Sequence, residues 1–162
     1  MTRLPAIRRM LAIMLLALWW GGFAFYAGRV VFIGHEVLRS KVRQGFITER
    51  VTTELNWLGL VMLGVVGWEM LASATFSRRR VAWIAWTVAL LATFTLFILH
   101  TKLAAMLDFT ARQVTDDNIF YDWHRIYLCT ATVQWLAGGA LLVMFHRPLC
   151  PTKATHPPLA EP

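Results

Sequence analysis

The chain carries little charge. Only 15% of its 162 residues are Asp, Glu, Lys or Arg, against roughly 25% in an average soluble protein. It has two cysteines, Cys129 and Cys150. A continuous helix between them would hold them about 30 Å apart, far outside disulfide reach. No CxxC pair and no Cys-His cluster is present, so a cysteine-based metal framework is excluded. The sequence also lacks GxSxG, a Gly-rich phosphate loop and any Ser-His-Asp set in recognisable context. That leaves hydrolytic and nucleotide-dependent chemistry without a motif, and the reading goes against an enzyme.

What fills the chain is apolar: 57% of the residues. The run from Leu11 to Val37 opens with 18 uncharged residues, Leu11 to Gly28, behind Arg8 and Arg9. That length and flank predict a membrane-spanning helix. Trp19 and Trp20 follow its apolar centre without an Ala-x-Ala pattern, so it reads as a span and not as a cleaved signal peptide. Small residues, Ala17, Gly21, Ala24 and Gly28, recur on one face that ends at His35. Small residues let helices approach closely in lipid.

Three further apolar segments follow. The spans are expected at about 11–37, 48–74, 81–114 and 118–146. Together they make one domain, 11–147, predicted to be an all-α integral membrane protein. Its form is an antiparallel up-down-up-down four-helix transmembrane bundle with helices extended beyond the outer membrane surface. Residues 39–46 read as the first break, with Gly45 as hinge and Thr48 as helix cap. Asp108 and Arg112 read as an i,i+4 pair late in the third helix, and Asp116 or Asp117 as the cap of the fourth. Residues 1–10 are a basic cytoplasmic N-terminus. Residues 148–162 contain Pro148, Pro151, Pro157, Pro158 and Pro162 and are expected to form a disordered cytoplasmic tail.

The net charge is +7. No basic patch with interleaved aromatics lies outside the spans, so no nucleic-acid partner is expected. Lys and Arg at helix ends set orientation instead. Arg78, Arg79 and Arg80 crowd one short loop, which places that loop and both termini in the cytoplasm of a bacterial inner (plasma) membrane. Glu69, near this loop, reads as a partner for its arginines, or more sharply as an intramembrane proton carrier.

Counting helical rise places a polar layer near the far edge of a hydrocarbon core about 30 Å thick. It contains Arg29, Glu54, Asn56, His35, His100 and His124. Phe120, His124, Tyr127, Ala131, Gln134 and Gly138 form one seam of the fourth helix. Thr93, Phe97, His100 and Ala104 form a face of the third. With these faces inward, the three histidines would meet. One reading is a hydrogen-bonded layer that fixes helix register. A second is a metal or haem site on His35, His100 and His124, although HxxxH and ExxH spacings are missing. A third is a transport or proton-relay site adding Glu54 and Gln134. The partners expected are the lipid bilayer and either a second copy of the chain or another membrane protein.

Two stretches carry a resemblance. Trp20-Gly21-Gly22 leads into an aromatic and valine-rich continuation, and Phe120-Tyr121-Asp122-Trp123-His124-Arg125 opens the fourth span. In these the chain resembles a bacterial four-span membrane family of unknown function, related to eukaryotic transmembrane proteins associated with cisplatin resistance. Phe120, His124 and Arg125 match that family's pattern. The chain departs from it at Phe32-Ile33-Gly34, where the family has a proline, and at Thr132 to Gln134, where it often has an asparagine. The resemblance implies the four-span topology and draws attention to His124; it implies no activity. The function expected is a structural or interaction component of the membrane. The alternative is a small transporter or a metal- or haem-handling protein built on the histidine layer.

Overall fold

The computed structural model describes residues 4–73, 80–108, 113–114 and 117–146. Four helices account for nearly all of them. They are α1 (Leu4–Leu38), α2 (Lys41–Ala72), α3 (Arg80–Ala105) and α4 (Asp117–His146). All four are long and apolar enough to cross a membrane. Large apolar side chains cover the outside: Phe25 is 64% exposed, Ile98 61% and Leu136 59%. So much exposed hydrocarbon suits lipid and not water. The chain is an all-α bundle of the membrane-spanning kind.

Lipid gives helices no hydrophobic reason to associate, so close fit must hold them together. The fit centres on Trp19, 1% exposed. A Cβ at Gly59 of α2 would lie 2.8 Å from its ring, and one at Gly138 of α4 would lie 2.6 Å away. The glycines that make room for this ring are those two. The expected stripe on α1 does not pack: nothing lies within 4 Å of a Cβ built at Gly21 or Gly28. The buried line of α1 is Ala12, Leu16, Trp19 and Tyr26. One large ring needs a deep slot, and that requirement sets the rotation of the helix.

Around Trp19 lies an apolar layer that includes Leu16, Met62, Leu63, Val66, Leu141 and Phe145. A second layer joins Leu96, Leu99 and Leu103 to Tyr127 and Ala131. Near the second layer the backbone of α1 changes. Tyr26–Val30 is a π turn, which inserts one residue and rotates everything beyond it.

The first connection differs from the sequence expectation. Arg39 adopts a left-handed conformation, φ 46°, and its N–H bonds the His35 carbonyl at 3.2 Å. Ser40 then caps α2, its Oγ accepting from the Arg43 N–H at 3.4 Å. Gly45 thus lies inside the helix and is no hinge, and Thr48 is no cap. Ser40 is the stronger cap because it stands next to a residue that has already left helical geometry. A side chain in the left-handed region costs about 1–2 kcal/mol. Arg39→Gly is therefore expected to raise the thermal midpoint of the detergent-solubilised protein. A fall would show that the Arg39 side chain holds a contact worth more than the strain.

The third helix is shorter than expected. It ends at Ala105, and β1 (Leu107–Asp108) pairs antiparallel with β2 (Gln113–Val114). Leu99, Leu103 and Leu107 are all buried as their spacing suggests. The last of them comes from a strand, a distinction that short apolar runs do not make. Asp108 stands opposite Gln113 in this pair, beyond the end of α3 at Ala105; Arg112, its expected i,i+4 partner, lies outside the described residues. So do Arg78, Arg79, Asp116 and the 148–162 tail. The fourth helix lies where it was expected.

Candidate functional site

A polar group inside a bilayer must find its partner within the protein. The indoles do so by donating to backbone. Trp19 Nε1 bonds the Leu55 carbonyl at 3.1 Å and Trp86 Nε1 the Leu63 carbonyl at 2.9 Å. Trp20 and Trp135 stack with centroids 4.7 Å apart, and each donates to the other's carbonyl at 3.2 Å. The last pair clasps α1 to α4.

The buried amides pair next. Gln134, 1% exposed, donates from Nε2 to Thr93 Oγ1 at 2.7 Å. The Thr93 hydroxyl in turn donates a hydrogen bond to the Ala89 carbonyl, also at 2.7 Å. Asn56 Nδ2 donates to the Tyr127 hydroxyl at 3.3 Å. Each chain of bonds links two helices, α3 to α4 and α2 to α4. Of the polar layer expected from sequence, Asn56, Tyr127 and Gln134 are buried as placed. Arg29 and Glu54 are exposed.

The three histidines occupy different surroundings. His100 is half-buried between α2 and α3. Its Nε2 lies 3.0 Å from Thr53 Oγ1, 3.1 Å from the Glu49 carbonyl and 3.8 Å from Glu49 Oε1. His124 is half-buried and stacks on Phe120 at 5.9 Å. His35 is exposed. Gly34 is the residue of that turn that meets α2, at Gln44; His35, one residue on, is turned about 100° away. Among the described residues, no group of three or more His, Cys, Asp or Glu is placed to hold a metal ion.

The charged pair sits at the other end. Glu69 is 3% exposed and accepts from Arg8 Nε, whose guanidinium lies 5.8 Å from the Trp68 ring. This partner comes from α1; Arg78 and Arg79 lie outside the described residues. Arg9 Nη2 donates to the Phe145 carbonyl at 2.9 Å, meeting one of the orphan carbonyls at the end of α4. Both arginines read in sequence as flanking charges. They became structural because α1 begins at Leu4, a full two turns before its uncharged run.

Sequence reasoning missed two further residues, Tyr26 and Gln44. Both are buried polar side chains, 8% and 7% exposed. Gln44 was read as part of a break, and Tyr26 as one more apolar member of the first span. A spacing count would have found Gln44: it continues the line of Thr48, Thr52 and Asn56 at intervals of four. Comparison of the chain with protein-family models, curated proteins and solved structures gives no match.

Proposed function

We propose that the chain is a structural or interaction component of a bacterial inner membrane, not an enzyme. In this reading it is an up-down-up-down bundle with both termini in the cytoplasm. Its helices reach beyond the outer surface, and its partner is a second copy or another membrane protein. The observation that carries the reading is the filled axis. Trp19 lies wedged against Gly59 and Gly138, and the buried amides Asn56 and Gln134 donate to the hydroxyls of Tyr127 and Thr93 on neighbouring helices. Groups arranged this way lock helices in register and leave little to offer a solute.

The test is metal and haem binding to the purified chain, wild type beside a His35→Gln/His100→Gln/His124→Gln variant. The reading expects no stoichiometric binding by either protein. The variant should fold, because glutamine can keep the bonds His100 makes to Thr53 and Glu49. Stoichiometric binding by the wild type that the variant loses would replace this reading with a metal- or haem-handling one.

A further inference from the structure

The buried polar atoms near the Arg39 turn are not all accounted for. Among the described residues, neither the Tyr26 hydroxyl nor Gln44 Oε1 has a hydrogen-bond partner in the protein. Both side chains are more than nine-tenths buried. A buried polar atom left unsatisfied is costly, and folds rarely keep one without a reason.

These two atoms belong to a continuous polar strip. Gln44, Thr48, Thr52 and Asn56 share one face of α2 by their spacing of four. Thr48 is near enough to the Tyr26 hydroxyl to interact with it, but the two do not meet in full hydrogen-bond geometry. Tyr127, already bonded to Asn56, also faces Thr52 and Tyr26. Thr52 donates its proton to the Thr48 carbonyl at 2.7 Å, which leaves lone pairs of its oxygen free to accept. Opposite Gln44 the strip is walled by Gly34, where even a methyl group would overlap the amide. The π turn at Tyr26–Val30 sets Tyr26 in the strip; such turns often accompany functional sites. The strip stops at Trp19, whose indole holds the Leu55 carbonyl. Beyond it the α2 face becomes Met62, Leu63 and Val66.

We propose that this strip is a water-binding inlet. It runs from the Arg39 turn, past Gln44 and Tyr26, to the Tyr127–Asn56 pair, and Trp19 closes it. The chemistry of the orphan atoms selects the ligand. Gln44 Oε1 can only accept, whereas the Tyr26 hydroxyl donates and accepts. Water does both, and buried waters are commonly held by polar groups that the protein itself leaves unpaired. A water chain of this kind brings exchangeable protons to a buried tyrosine–asparagine pair without opening a path through the bundle. The inlet does not depend on the function proposed above.

The test is radiolytic hydroxyl-radical footprinting of the full chain in lipid nanodiscs, in isotope-labelled water. The three tyrosines supply the comparison, because Tyr121 is 48% exposed. The inlet predicts that Tyr26 and Tyr127 take up labelled oxygen at rates comparable with Tyr121, despite their burial. It also predicts that Tyr26→Phe, a conservative change, lowers the thermal midpoint by stranding the water. Tyr26 and Tyr127 inert beside a labelled Tyr121 would overturn it. A raised midpoint in Tyr26→Phe would do so as well, since a dry hydroxyl would then have been relieved. Labelling seen only after lipid is replaced by detergent would assign the strip to a lipid headgroup, and would also overturn the proposal.

Discussion

Trp19→Ala is expected to destabilise the bundle by about 3–5 kcal/mol, the range for removing a buried aromatic ring. The ring is 1% exposed. Its removal leaves a cavity at the meeting of α1, α2 and α4 and takes away the second hydrogen bond that the mid-helix Leu55 carbonyl accepts. The reverse error should also be visible. Gly138→Ala would press a methyl group into the ring, where a Cβ lies 2.6 Å from the indole, and overpacking of this kind costs about 1–3 kcal/mol. The two sites are in contact, so their effects should not add. In a Trp19→Leu background, where the six-membered ring is gone, Gly138→Ala should cost much less than in the wild type. Reversible unfolding in mixed micelles measures all four proteins of this cycle. Simple additivity would show that the ring and the glycine do not share the slot.

Glu69→Ala is expected to cost about 3–5 kcal/mol, because it leaves the Arg8 guanidinium buried without its counter-ion. Arg8 has a side-chain exposure of 14% and Glu69 of 4%, so water cannot readily replace the lost carboxylate. Glu69→Gln keeps an acceptor and should lose less. The decisive variant is the double replacement Arg8→Met/Glu69→Met. Removing both charges together removes the desolvation penalty with the attraction, so this protein should regain most of the wild-type stability. If the double variant is as unstable as Glu69→Ala, the pair acts through shape and its charges are incidental.

Much of the fold was legible because a bilayer permits few solutions. Uncharged runs such as Leu11 to Gly28 specify spans on length alone, and α4 lies almost where its aspartates and apolar period put it. Helix ends were harder to read. Residues 39–46 looked like a long break because Gly45 punctuates them, yet Ser40 can cap as soon as Arg39 turns left-handed. The extension of the third span past Ala105 rested on leucines at helical intervals, and Leu107 satisfies the same burial from a strand. Within the polar layer, Asn56, Tyr127 and Gln134 followed from seam positions, since a residue on a packed face is buried whatever its partner turns out to be. The histidines did not follow so simply. Their mutual placement depends on helix rotation, and two features absent from any local pattern set that rotation: the slot for Trp19 and the extra residue of the π turn. Glu69 was read as an arginine partner from its nearness to the 78–80 loop; among the described residues the arginine that reaches it is Arg8, brought by the packing of α1 against α2.

In the function proposed, the axis of this bundle is closed by its own side chains. Ion flux measures that directly. Purified chain in liposomes loaded with a pH-sensitive or metal-sensitive dye should pass protons and divalent cations no faster than protein-free liposomes, under both signs of membrane potential. The water inlet stops at Trp19 and so does not alter this expectation. Flux that rises with the amount of protein and saturates with substrate would contradict the claim, and the polar residues around Trp19 would then have to be read as a conduction path.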